Sequence, residues 1–169
     1  MNEVFTAGIL TISDKASAGK RQDSSGKVAA RMLEKEGFSV VKQMIVPDSI
    51  DRIRDTLLEW VDRERLALIV TSGGTGLSPT DVTPQAMEKV IDYQVPGIAE
   101  SMRAASLKKT PHAMLSRAMA GVRGSSLIIN LPGSPGGVED NLAVVLPALK
   151  HALSKLAGDT SECAPPPQA

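Results

Sequence analysis

Residues 66–71 run Leu66-Ala67-Leu68-Ile69-Val70-Thr71 and open directly into Ser72-Gly73-Gly74-Thr75-Gly76. A strand without polar alternation is buried on both faces, the position of an interior strand in a parallel sheet covered by helices. Glycines at its exit admit positive φ and leave peptide N–H groups open to a ligand, so the strand empties into a turn suited to an anion. Asp81 follows five residues after Gly76 and is a candidate magnesium ligand. Taken alone, the same residues equally describe a tight strand-to-helix turn with a surface aspartate.

The flanking sequence repeats the strand and helix alternation. Residues 5–13 are β-rich, and Ser25 is the expected cap of a helix to Glu36 with Val28, Ala29, Met32 and Leu33 as its apolar stripe. Gly37 stops that helix, and residues 39–46 read as a second strand. Pro47-Asp48-Ser49 then turns into a helix through Arg63, with Ile50, Ile53, Leu57 and Val61 at helical spacing. Thr83-Pro84 is a helix-start signal for a segment reaching about Asp92, and Pro96-Gly97 precedes another helix over 98–106. Residues 107–118, broken by Pro111, show no decisive period. Residues 125–130 read as a fourth strand, and 138–156 as a last helix in which Pro147 predicts a kink near Ala143. This order predicts an α/β fold of three layers, a mainly parallel sheet with helices on both faces. The expected division is one domain over 1–157 and a flexible tail over 158–169.

Several function classes lose ground on composition. A chain of 169 residues suits one compact domain. Its 19 basic and 19 acidic residues cancel, so no excess field holds a nucleic acid by counterion release. Phe5, Phe38, Trp60 and Tyr93 are too few and too scattered for base-stacking platforms. The single Cys163 forms neither an internal disulfide nor a cysteine zinc cage. No basic leader with a cleavage site and no apolar stretch of ~20 residues is visible. The expectation is a soluble, cytoplasmic protein that uses no membrane.

In an open parallel sheet, ligands bind beyond the carboxyl ends of the strands. The residues leaving the four strands are Ser13-Asp14, Pro47-Asp48, Gly73-Gly74-Thr75-Gly76 with Asp81, and Asn130-Leu131-Pro132-Gly133-Ser134. Carboxylates and glycine turns on one edge suit a polyphosphate with a divalent cation: N–H groups take phosphate oxygens, and Asp48 and Asp81 hold Mg²⁺ or its water shell. Thr75 and Ser134 are candidate donors to the ligand, or stabilise their own turns. Lys15, Lys20, Arg21, Arg117 and Arg123 are the candidate cations for phosphate. Neither GxxxxGK[ST] nor GxGxxG occurs, which sets aside the P-loop and the dinucleotide fold.

Together, Ser13-Asp14, Val46-Pro47-Asp48, the GGTG turn followed by Asp81-Val82-Thr83-Pro84, Met114-Leu115-Ser116-Arg117 and Leu131-Pro132-Gly133-Ser134-Pro135 resemble the MogA-like molybdopterin adenylyltransferase family. Gly121-Val122-Arg123-Gly124-Ser125 also resembles the G domains of gephyrin-like proteins. The resemblance covers the chain to about Ala157. It implies transfer of AMP from Mg-ATP to the phosphate of molybdopterin, with release of pyrophosphate. It also implies catalytic carboxylates at Asp48 and Asp81 and a substrate site lined by Ser13, Asp14, Gly73, Gly74, Thr75, Gly76, Ser125, Asn130, Pro132, Gly133 and Ser134. A homotrimer and hand-over of the product to a molybdenum-insertion protein follow from the same likeness. The alternative roles are a pterin-binding or scaffold member without turnover, and a nucleotide hydrolase that needs no pterin. Ser125 has the alternative role of simply starting its strand.

Overall fold

The computed structural model describes residues 4–161, so residues 162–169, including Cys163 and most of the expected tail, lie outside the described residues. Among the described residues, six strands form one mixed sheet, in the order Ser39–Val46, Thr6–Ile12, Leu68–Ser72, Ser126–Leu131, Ala120–Arg123 and Tyr93–Gln94. β1 (Thr6–Ile12), β2 (Ser39–Val46), β3 (Leu68–Ser72) and β6 (Ser126–Leu131) are mutually parallel where they pair, as their apolar runs and helical connections require. β4 (Tyr93–Gln94) and β5 (Ala120–Arg123) extend the sheet in the antiparallel sense beyond β6.

Strand alternation divides the interior into two cores. Ala7, Ile9, Leu68, Val70, Leu127 and Ile129 face α2 (Ser24–Lys35), α5 (Pro96–Leu107) and α6 (Pro135–Leu156). Leu10, Ile12, Ile69 and Ile128 face α3 (Ile50–Leu58), the π turn Glu59–Arg63 that follows it, and α4 (Thr83–Glu88). β3 is buried at every position, because both faces are covered.

Local starts and stops depart from the sequence expectation in ways that matter for the site. Ser13 caps a four-residue helix, α1 (Asp14–Ser17), where the sequence shows only a break in the pattern. Asp23, not Ser25, caps α2, because its carboxylate reaches the Gly26 N–H at 2.8 Å. The helix expected to start on the Thr83 cap has Val82 at that position and ends at Glu88. α5 starts on Pro96 itself, whose missing N–H costs nothing in the first turn. The undecided residues 107–118 hold a 3₁₀ turn, Pro111–Leu115. α6 runs through Pro147 as one 22-residue helix, with Pro147 and Ala143 both exposed on its outer side. In its last turn, Lys155 hydrogen-bonds the Ser161 backbone and ion-pairs with Asp159, tying residues 159–161 to the helix end.

Candidate functional site

The carboxyl ends of the parallel strands are stitched to one another by short polar contacts. Ser13 N–H donates to the Val46 carbonyl at 2.9 Å, joining the exits of β1 and β2. Asp14 and Asp48 then exchange bonds: each backbone N–H donates to the other's carboxylate at 2.9 Å. Between β3 and β6, Gly73 N–H donates to Leu131 O at 3.1 Å and Ser72 Oγ to Pro132 O at 3.0 Å. Gly73 (φ +109°) and Gly74 (φ +66°) occupy the left-handed region. A Cβ on Gly73 would stand 2.3 Å from Ile12 O, so the turn requires glycine for space as well as for torsion.

Two adjoining cavities lie over these ends. A polar one of about 320 Å³ is lined by Ser13, Asp48, Gly73, Gly74, Asp81, Gly133 and Ser134, together with Arg21 and Asp23. A larger one of about 410 Å³ takes Thr75, Gly76, Pro132 and Ser134 from the predicted set, with Met102, Ala113, Leu115 and Ala118 as its apolar wall. Ser134, the cap of α6, belongs to both, and its Oγ accepts from Gly137 N–H at 3.1 Å. The junction therefore sits at the N-terminus of a long helix, where the macrodipole favours negative charge.

The polar cavity carries clustered acid. Burial pushes the Asp48 carboxyl above its ordinary value, the Asp14 N–H pulls it partly back, and the charges of Asp14 and Asp81 push it up again. Asp81 accepts from Ser78 N–H at 3.0 Å, and Gly76 has no Cβ in the way of its carboxylate: one would lie 2.7 Å from Oδ2. Among the described residues, no three His, Cys, Asp or Glu side chains make a closed metal cage. Two aspartates lining one polar cavity offer the oxygen ligands that magnesium takes while keeping part of its hydration. A cation there also offsets the mutual repulsion of the carboxylates.

Other predicted residues stand apart. Asp14 lines neither cavity and meets the site through its exchange with Asp48. Ser125 lies in the β5–β6 hairpin at the opposite end of the sheet, beside Ser126, whose Oγ donates to Leu66 O at the start of β3. Asn130 is fully buried; its Nδ2 donates to Thr71 Oγ1 at 3.1 Å, and it lines neither cavity. Among the candidate cations, Lys15 and Lys20 line neither cavity, and Arg123 is at the far end with Ser125, paired with Asp62 at 2.8 Å. Arg117 turns all three guanidine nitrogens to Gly76 O, Asp81 O and Gln85 Oε1.

Sequence reasoning does not single out Asp23 and His112, which line the cavities, or Thr83, which braces the turn beside them. Asp23 lines the polar cavity and accepts from Thr11 Oγ1 at 2.7 Å; its place directly before the α2 stripe is a capping signal. Thr83 donates from Oγ1 to Gly73 O at 2.8 Å and from N–H to Gly74 O at 3.1 Å, closing the base of the Asp81 loop. His112 lines the larger cavity from the 3₁₀ turn, a segment whose sequence gives no strand exit.

The model of the family described as "probable molybdopterin binding domain" matches residues 8–151. The molybdopterin adenylyltransferase of Helicobacter pylori strain 26695 is 41% identical over 154 residues, covering 90% of this chain and 88% of that protein. Gephyrin of Dictyostelium discoideum is 39% identical over 165 residues, 89% of this chain, and this chain spans only 22% of its length. The Drosophila melanogaster molybdenum cofactor synthesis protein cinnamon is likewise spanned over 27% of its length. Among solved structures, the molybdopterin biosynthesis enzyme MoaB of Thermus thermophilus superposes with a TM-score of 0.88 at 50% identity, covering 92% of this chain and 98% of that one.

Proposed function

This chain belongs to the family of probable molybdopterin binding domains, and from that premise we propose that it is a molybdopterin adenylyltransferase of molybdenum cofactor biosynthesis. The observation that carries the reading is the pair of cavities meeting at Ser134, one polar and acidic, one larger and apolar-walled. Two substrates of matching character are brought together there: the triphosphate of ATP over Asp48, Asp81 and the Gly73-Gly74 turn, and the pterin against Met102, Ala113 and Leu115.

The chemistry asks little of a general base. The molybdopterin phosphate is already anionic at neutral pH; its oxygen attacks the α-phosphorus of ATP, the bond to the bridging oxygen breaks, and pyrophosphate leaves with that electron pair. The chain's task is to place and neutralise charge. The glycine turn and the α6 N-terminus border the cavity that takes the phosphates, where the helix dipole favours negative charge, Arg21 adds positive charge at the rim, and the apolar wall lines the pterin side. Asp48 and Asp81 would hold Mg²⁺, which when bound neutralises the triphosphate and the departing pyrophosphate.

The same reading carries a homotrimer, residence in the cytoplasm, hand-over of adenylylated molybdopterin to a molybdenum-insertion protein, and a functional unit confined to residues 1–157. Among the described residues no helix is long and apolar enough to cross a membrane.

Purified protein with ATP, Mg²⁺ and molybdopterin is expected to release pyrophosphate and form the adenylylated pterin, and to release none when the pterin is omitted. Asp48→Asn and Asp81→Asn are expected to fold, and to lose about 10²-fold or more in kcat. Folded wild-type protein that binds both substrates without forming pyrophosphate would defeat the reading in favour of a binding or scaffold role. Cleavage of ATP without pterin would defeat it in favour of a hydrolase.

A further inference from the structure

We propose that Arg117 is a positioning residue that acts through residues 76–81 to set the Asp81 carboxylate, rather than a cation that contacts phosphate. The proposal rests on the adenylyltransferase reading for its role in turnover, and on geometry alone for the loop itself. Between the glycine turn and α4 the chain makes an exposed excursion: Leu77, Ser78, Pro79 and Thr80 are all at the surface. An exposed loop with so little packing is ordinarily loose. This one is pinned at its neck. Arg117 N–H donates to Thr75 O at 2.8 Å, Nε to Gly76 O at 2.8 Å, Nη2 to Asp81 O at 2.5 Å and Nη1 to Gln85 Oε1 at 3.2 Å. A planar fork thus spans the first and last residues of the excursion, a bridge one ammonium group cannot reproduce.

The fork is itself braced. From α5, Arg103 Nη1 donates to Ala118 O at 2.7 Å and reaches Ser116 O at 3.4 Å, fixing the backbone on both sides of Arg117. At the other end of the path, Asp81 N–H donates to Ser78 O at 2.9 Å and its carboxylate receives Ser78 N–H. The carboxylate is therefore oriented by a peptide whose own position depends on the loop staying closed. With every guanidine nitrogen committed to a protein acceptor, Arg117 has its charge directed at the loop and not at the cavity floor.

The test compares wild type with Arg117→Lys and Arg117→Met by three readouts. Hydrogen exchange of the Ser78 and Asp81 amides in the free protein is expected to quicken about tenfold in both variants, while strand amides of Leu68 and Val70 keep their protection. Mn²⁺ titration in the presence of ATP is expected to weaken about fivefold or more in both, whereas ATP affinity without metal stays within about twofold. In turnover, kcat falls and the KM for molybdopterin stays within about twofold. A lysine variant that behaves as wild type, unchanged loop exchange, or a fall in metal-free ATP affinity would overturn the proposal, the last pointing to direct phosphate contact. If strand protection is lost and the variants do not fold, Gln85→Ala decides: removing one of the three acceptors should weaken Mn²⁺ about twofold, and no shift overturns the proposal. Exchange and Mn²⁺ effects in a protein without adenylyl transfer would sink the functional reading and leave the loop inference standing.

Discussion

Asp48 is held in a state that suits a ligand and disfavours the empty fold. Its carboxyl titrates above the ordinary 3.8 because burial and the charges of Asp14 and Asp81 outweigh the Asp14 N–H. An acid with a raised folded pKa lowers stability at neutral pH, and the deficit disappears as pH falls through the folded value to the unfolded one. Asp48→Asn keeps an oxygen for the Asp14 N–H and removes the charge. It is expected to raise metal-free stability at pH 7 by at most about 1 kcal/mol, because the half-buried group is still screened by solvent. That gain should vanish as the pH drops towards 3.8, as measured by thermal unfolding across pH, while kcat falls as stated above. Asp48, Asp81 and the glycines are legible in the sequence because residue type and strand-exit position suffice to place them. Arg117 is not, because where a long side chain ends depends on oxygens 32 to 41 residues away. Asn130 reads as an exit residue by its position near the end of an apolar run, yet the strand continues through Leu131 and the Asn130 amide bonds Thr71 on the neighbouring strand, inside the sheet.

At the level of elements, α6 offers a clean test of propensity against packing. Its buried side is Val138, Leu142, Val145, Leu149 and Leu153, and Pro147 stands on the opposite, wet side. Pro147→Ala restores an N–H for the Ala143 carbonyl without touching the core, so it is expected to stabilise by about 1–3 kcal/mol in urea unfolding with activity unchanged. The four parallel strands and the long helices are readable because each carries a full period of apolar residues. β4 and β5 are not: one has two residues, the other is Ala-Gly-Val-Arg, and neither is long enough to show alternation. The π turn at Glu59–Arg63 is concealed for the opposite reason, since Trp60 and Val61 continue the helical stripe while the backbone widens to seat a fully buried indole.

Across the whole molecule, charge neutrality and two cavities of different character make a single prediction. ATP with Mg²⁺ should shift the amide resonances of Asp48, Gly73 and Gly74, a free pterin should shift those of His112, Ala113 and Asn141, and Ser134 should respond to both. Overlapping responses from one ligand across the two sets would mean a single undivided pocket. Strand exits locate the shared edge in the sequence but do not show the second cavity, because residues of α5 and the 3₁₀ turn complete its lining opposite Thr75 and Pro132. On the proposed reading each guest would have its own chamber, with one serine as the threshold between them, so that either reactant could arrive first.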